Sequence, residues 1–418
     1  MVEMTNKSEA VPGENERFEE LGRGCYAYSA DGCSNTGVVI GEKGVLIVDA
    51  QATPALAEKV LQKVRELTDK PVKQVVLTHF HADNTLGALA FEAGEIISSD
   101  LTKRMMEIRG VEEIRLARQR DAALFADLPG NTGVSMPSMT IASSMTIDLG
   151  GLDVRLMHLG RAHTMGDLVV WVPQSGVIFA GDLVQKAAVP YCGDAHFADW
   201  PRALDRITAF RPTALMPGRG KSAIGPQAVA TAVETTRDFV VTLRDAAAAC
   251  VEQSLGLKDT FQAVRDALAG RFGSKVDFEF HLPISVARAY DEALGLDQPQ
   301  VWTRERIADL YDALAGASAA SDTGADQPAE DAVETDAPSK DAAAEAPLEA
   351  ADAKASDLVS DSDFAASLAL GSEEEREADR DDMELSAEDI VEEDKPSDTD
   401  ETASSDKASA NKVLEDAR

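Results

Sequence analysis

The chain has 418 residues and a formal net charge of −34, spread unevenly. From Ala317 onward there are 32 acidic and 8 basic side chains, a net of −24, leaving −10 for residues 1–316. Such acidity opposes binding to nucleic acid or anionic membrane surfaces, and no run of 18 apolar residues offers a membrane span.

Residues 1–20 are polar and acidic, lack the basic and apolar regions of a secretory signal, and are expected to be flexible. Short strands are predicted at 25–30, 36–40 and 45–48, separated by Asp-Gly and Lys-Gly turns. Leu56, Val60, Val64 and Leu67 recur at helical spacing and predict a helix over 54–67. A buried strand at 72–77, a helix at 85–91, a strand near Ile96 and a charged helix over 101–125 follow. Strands at 139–147, 154–158, 168–172 and 177–180 form a second group, then a helix at 200–210 and a strand at 214–216. Beyond a Pro-Gly-Arg-Gly turn, Pro226 opens a helix to about residue 250, with further helices at 259–269, 284–293 and 304–315. The expected organisation is a flexible N-terminus (1–20), an α/β domain (21–224), a helical extension (225–316) and a disordered acidic tail (317–418). The tail holds one aromatic residue, Phe364, and too little apolar surface to offset its ordering entropy. Four scattered cysteines (Cys25, Cys33, Cys192, Cys250) and no secretory signal lead us to expect a cytoplasmic protein without disulfides.

The chemistry concentrates in VVLTHFHADNTLG. His79 and His81 sit one residue apart after an apolar strand, and Asp83 follows two residues later. A strand ending in this pattern aims several ligand side chains at one point, and neutral imidazole suits a borderline cation such as zinc. His163, in GRAHTMGD, and Asp182, in FAGD straight after an apolar strand, are the further ligand candidates. His196 and Cys192 lie in a stretch placed to cover the site. His196 has a substrate-contacting or structural role, and Cys192 is a substrate-facing thiol or a small buried residue. His281 reads as a structural cap, and His158 as a core histidine within a strand.

At these residues the chain resembles the metallo-β-lactamase-fold hydrolases. Their pattern is Thr-His-x-His-x-Asp-His, Gly-His-Thr-x-Gly, a strand-end Gly-Asp and Pro-Gly-His. Here the segments are THFHADN, GRAHTMGD, FAGD and MPGRG, in the same order over roughly residues 20–225. The resemblance implies a four-layer αβ/βα sandwich, metal ligands His79, His81, His163 and Asp182, and Asp49 as the strand-end carboxylate bracing the His-x-His loop. Two departures matter: Asn84 and Arg219 stand where the two-metal members have second-site histidines. Asn is a poor ligand for such a metal and Arg is none. One zinc per chain is therefore expected, with Arg219 pairing with Asp83 or binding a substrate carboxylate or phosphate. The implied reaction is hydrolysis of a small ester, lactone, thioester or amide, with Asp83 orienting or deprotonating the water. Two rivals are a mononuclear ferrous (Fe2+) oxygenase acting on a sulfur substrate and a non-catalytic binding protein on the same fold. A small-molecule substrate is the expected partner; a homodimer and a protein partner for the acidic tail stay open.

Overall fold

The computed structural model describes residues 11–315. The expectations for residues 1–10 and for the acidic tail lie outside the described residues. The first strand, β1 (Arg17–Gly22), begins within the stretch expected to be flexible.

Two sheets face each other. The first contains β1, β2 (Cys25–Ser29), β3 (Thr36–Ile40), β4 (Val45–Val48), β5 (Val72–Val76), β6 (Glu95–Ser99) and β7 (Met139–Ile141), in sequence order. Its first four strands are antiparallel hairpins, while β4 to β7 run parallel. Parallel neighbours need crossovers. Helix α1 (Pro54–Leu67) links β4 to β5, α2 (Ala82–Thr85) with a 3₁₀ turn links β5 to β6, and α3 (Asp100–Arg120) links β6 to β7. Helix α1 starts where its sequence says it should. Thr53 Oγ1 accepts the Leu56 N–H at 3.2 Å, and Pro54 fills the first turn.

The second sheet has the order β13-β12-β11-β10-β9-β8. Its members are β8 (Ser144–Asp148), β9 (Asp153–His158), β10 (Leu168–Val172), β11 (Val177–Phe179), β12 (Ala214–Met216) and β13 (Ala223–Ile224). Only β11 and β12 are parallel, with α4 (Trp200–Ala209) between them. Alternation along these strands divides two cores. Val170, Val172, Phe179 and Met216 meet Val48, Val76 and Ile97 of the first sheet. Val169, Trp171, Ile178 and Leu215 point the other way, onto helices. Gly37 sets the sheet contact: a Cβ there would lie 2.4 Å from the Phe179 ring. The helices on that outer face are α4, α5 (Pro226–Glu252), α6 (Leu257–Phe272) and α7 (Phe278–Ala293). Helix α8 (Arg304–Ala315) packs through Leu310, together with Trp302 just before it, against Leu116 of α3 and Ile284 of α7.

Three elements differ from the sequence expectation. Residues 139–147 form two strands, one in each sheet: β7 pairs with β6 and β8 with β9. Met139–Ile141 and Met145–Ile147 both suit a strand, and the short Ala-Ser-Ser step between them does not say that the partner changes. The helix expected at 85–91 is broken at Gly87, where any Cβ would fall 2.1 Å from the Ala50 carbonyl. Helix α7 begins six residues earlier than 284 and runs through Pro283, because Phe278, Phe280 and Leu282 gain burial that outweighs the lost N–H. No helix among the described residues is long and apolar enough to cross a membrane.

Candidate metal centre

Strand direction brings five segments to one edge of the sandwich. Parallel β4 and β5 end there with Asp49 and with residues 78–84; parallel β11 and β12 end there with Asp182 and Arg219. Strand β10 is antiparallel to β11, so the loop entering it delivers His163 to the same edge. Carboxyl ends of parallel strands are where open α/β sheets bind ligands.

Three imidazoles form a tripod. The ring pairs His79–His81, His79–His163 and His81–His163 have centroids 4.9, 4.8 and 4.9 Å apart, with interplanar angles of 88°, 87° and 82°. One ligand atom from each lies within 4.8 Å of the others, and all three residues are buried. The outer contacts identify the inner atoms. His79 Nδ1 is 2.9 Å from Thr78 Oγ1, and that hydroxyl donates to Asp49 Oδ2 at 2.8 Å. This turns His79 Nε2 inward. His81 Nε2 lies 3.1 Å from Asp194 Oδ2, so His81 presents Nδ1, which is 3.1 Å from His163 Nε2. Asp182 Oδ2 stands 3.7 Å from that same His163 nitrogen.

The donors fit a divalent cation. Burial holds His79 and His163 well below the usual histidine range, and the neutral form is the one that coordinates. Burial also disfavours a charged His81, but its hydrogen bond to Asp194 and the Glu113 charge outweigh this and raise it to about 9. Burial pushes Asp182 up to about 6 against the pull of Arg219. Asp182 Oδ1 is buried without a hydrogen-bond partner among the described residues. Gly218 makes room for this carboxylate, since a Cβ there would sit 1.9 Å from Oδ1.

Asp49 directly follows β4, beneath the His-x-His loop. Its carboxylate accepts the Thr78 N–H at 2.8 Å and the Thr78 hydroxyl, bracing the residue before His79. Asn84 Nδ2 approaches His79 Nε2 at 3.2 Å. Arg219 pairs with Asp83 Oδ2, and Ser34 Oγ donates to the same oxygen at 3.2 Å. Burial opposes ionisation of Asp83, but the charges of Arg219 and Arg120 outweigh it and hold the carboxyl well below the usual carboxylate range. A cavity of about 450 Å³ opens beside the tripod, with His81, Asp83, Asp182, Arg219, Tyr191 and Arg120 in its wall.

The sequence model of the metallo-β-lactamase superfamily matches residues 31–219. This domain belongs to that superfamily. Among curated superfamily relatives, a linear primary-alkylsulfatase from Pseudomonas sp. is 25% identical over 236 residues, covering 49% of this chain and 44% of that protein. A metallo-β-lactamase type 2 from Bacillus cereus is 24% identical over 184 residues, covering 43% of this chain and 64% of that one. The chain therefore spans less than two thirds of either relative. The β subunit of a 2,4-dinitroanisole O-demethylase from Nocardioides sp. is 27% identical, covering 54% and 66%. A solved stereoselective inverting sec-alkylsulfatase from Pseudomonas sp. superposes with a TM-score of 0.51 at 15% identity, covering 67% of this chain and 54% of that one; this likeness shows the fold.

Of the two readings for Cys192, the small buried residue is the one found: it is fully buried in the core beneath the second sheet, its Sγ 3.6 Å from the Pro190 carbonyl, and burial raises its pKa. His281 is no helix cap. It lies within the first turns of α7, lines the cavity and packs edge-on to Tyr191 at 5.6 Å. His196 is buried with both ring nitrogens unpartnered among the described residues, outside the cavity wall. His158 Nδ1 meets the Asp167 carbonyl at 3.0 Å, a structural contact.

The sequence reading missed Asp194, Tyr191, Arg109 and Arg120. Arg109 Nη1 donates to Asp194 Oδ1 at 3.1 Å, so α3 anchors the carboxylate that orients His81. Trp302 Nε1 donates to the Gly193 carbonyl at 2.9 Å, tying the same loop to the C-terminal helices. Asp194 sat between two residues already singled out, Cys192 and His196, and an acidic residue there was the available signal. The arginines share one helix with several other basic residues, so nothing in the pattern distinguishes them.

Proposed function

We propose that the domain is a metal-dependent hydrolase acting on a small ester, lactone, thioester or amide with one zinc per chain. The observation that carries this reading is the buried tripod His79, His81 and His163, with Asp182 beside it, opening onto a cavity of substrate size. The names of the alkylsulfatase and β-lactamase relatives support hydrolysis as the reaction class. Zinc held by these four residues supplies Lewis-acid activation of water and of the substrate carbonyl.

The chain's own residues do the rest. Asp83 stays ionised through the neutral range, so it orients a water by accepting its hydrogen bond and draws its proton only as attack proceeds. Arg219 fixes Asp83 and presents further N–H groups to the oxyanion that develops on the substrate. The single-metal reading rests on the same pair. Asp83 is already engaged by Arg219 and Ser34, and Asn84 offers no imidazole, so a second cation would have to displace a guanidinium.

Metal content per chain, measured by mass spectrometry on purified protein, tests this together with a screen of ester, lactone, thioester and amide hydrolysis. One zinc with turnover that chelation abolishes is the expected result. Two metals per chain would refute the single-site reading, and one iron or no metal after reconstitution would refute the zinc hydrolase.

A further inference from the structure

The cavity holds two guanidinium groups in different states. Arg219 is spoken for by Asp83. Arg120, the last residue of α3, is held more loosely: it pairs with Glu113 Oε1 at 3.7 Å, and no hydrogen bond to its guanidinium occurs among the described residues. Glu113 is itself turned to the Ala82 N–H, at 3.4 Å. The Arg120 side chain is only 19% exposed, and it lies with Cζ 4.6 Å from the centroid of the Tyr191 ring. That ring also touches His81 at 5.5 Å and His281 at 5.6 Å, so a single aromatic ring separates the guanidinium from a proposed metal ligand.

The charges of Glu113, Asp83 and Asp194 keep Arg120 ionised, but among the described residues none of them hydrogen-bonds its fork, which leaves its N–H groups to an anion in the cavity. Its planar fork matches an oxyanion, and stacking on Tyr191 fixes the plane in which the fork is presented. Of the aspartates in the cavity wall, Asp83 pairs with Arg219 and Asp121 accepts the Leu124 N–H at 3.0 Å. Asp31 accepts from Asn15 Nδ2 at 2.7 Å, and Asp277 interacts electrostatically with Arg219 and His281. We propose that Arg120, backed by Tyr191, forms a subsite for a carboxylate on the substrate, remote from the bond that is cleaved. This deepens the hydrolase reading and rests on it: the preferred substrate is a monoanionic ester or related acyl compound with its negative charge a few bonds from the scissile carbonyl.

The test compares p-nitrophenyl hemisuccinate with p-nitrophenyl butyrate, similar in length but differing in the terminal carboxylate, on zinc-loaded full-length protein. The wild-type protein is expected to favour the anionic ester in kcat/KM by roughly ten- to a hundredfold, mostly through KM. In Arg120→Gln the ratio should fall to about one, with Arg120→Lys between. A ratio unchanged in Arg120→Gln, or a wild-type preference for the neutral ester, overturns the subsite. If neither ester is turned over, the hydrolase reading fails for esters and calorimetry with glutarate decides the subsite on its own. Glutarate binding that weakens about tenfold or more in Arg120→Gln supports it; no binding to the wild type, or equal binding to both, refutes it. Zinc content and thermal midpoint of each variant are measured alongside, so a misfolded variant is recognised, and Arg120→Lys then supplies the comparison.

Discussion

Replacing Gly218 by Ala perturbs the centre through one methyl group. A Cβ at this position would lie 1.9 Å from Asp182 Oδ1 and 2.8 Å from both Asp182 Cγ and Gln185 Nε2. An ordinary carbon–oxygen contact is about 3.3 Å, so an overlap of more than an ångström must be relieved. The backbone cannot yield easily: the Gly218 N–H bonds Val184 O at 3.1 Å and its carbonyl accepts the Asn35 N–H at 2.8 Å. The Asp182 carboxylate must move instead, out of the position that sets Oδ2 3.7 Å from His163 Nε2. Displacement of that size costs about a hundredfold in rate, while overpacking costs about 1 to 3 kcal/mol of stability. The assay is zinc competition against a chromophoric chelator for the wild type, Gly218→Ala, Asp182→Ala and the double variant. Gly218→Ala and Asp182→Ala should lose affinity to a similar extent. The double variant should bind no worse than Asp182→Ala, because the truncated side chain no longer collides with the new methyl. Gly218→Ala binding zinc within about twofold of wild type, or additive losses in the double variant, would refute the reasoning.

Three further outcomes are expected. Arg219→Met leaves Asp83 buried without its cation and should destabilise the protein by about 3 to 5 kcal/mol in urea unfolding; a change below about 1 kcal/mol would mean the pair is solvated. Trp302→Phe removes the N–H from the Gly193 carbonyl and should cost about 1 to 2 kcal/mol in the same assay, with no change sinking the idea that this bond secures the loop. Burial, helped by Arg161 and Arg288, lowers the folded-state pKa of His196 to about 3, so as pH falls below 6.5 the unfolded chain takes up a proton that the folded chain refuses. Stability should therefore drop between pH 6.5 and about 3, by about 1.4 kcal/mol per pH unit from this residue. His196→Gln should flatten the slope by about one proton, and an unchanged slope would show that His196 does not carry it.

The candidate donors His79, His81 and Asp182 were legible because they follow apolar strands at short, fixed spacing. His79 and His81 are adjacent on one turn, and Asp182 ends a run of buried residues, so local pattern and strand direction together define where they point. Asn84 and Arg219 were legible as departures from that pattern. The pairing partners were not. Asp194 reaches His81 across 113 positions and Arg109 reaches Asp194 across 85, distances at which periodicity carries no information. The same holds for the fold. Helices with a cap and a clear stripe, such as α1, were legible to the residue, whereas the sheet switch between Ile141 and Ser144 depends on partners far along the chain.

The centre draws half its donors from each side of the sandwich: His79 and His81 follow a strand of the first sheet, and His163 and Asp182 flank strands of the second. A cation held by all four would act as a rivet between the two sheets. Metal affinity would then be part of folding stability, since any ion that binds only the assembled pair shifts the equilibrium by mass action, about 2.7 kcal/mol at a hundred times Kd. Starvation for the metal would weaken the seam between the halves as well as silence the chemistry, and degradation would remove the empty protein before the loaded one.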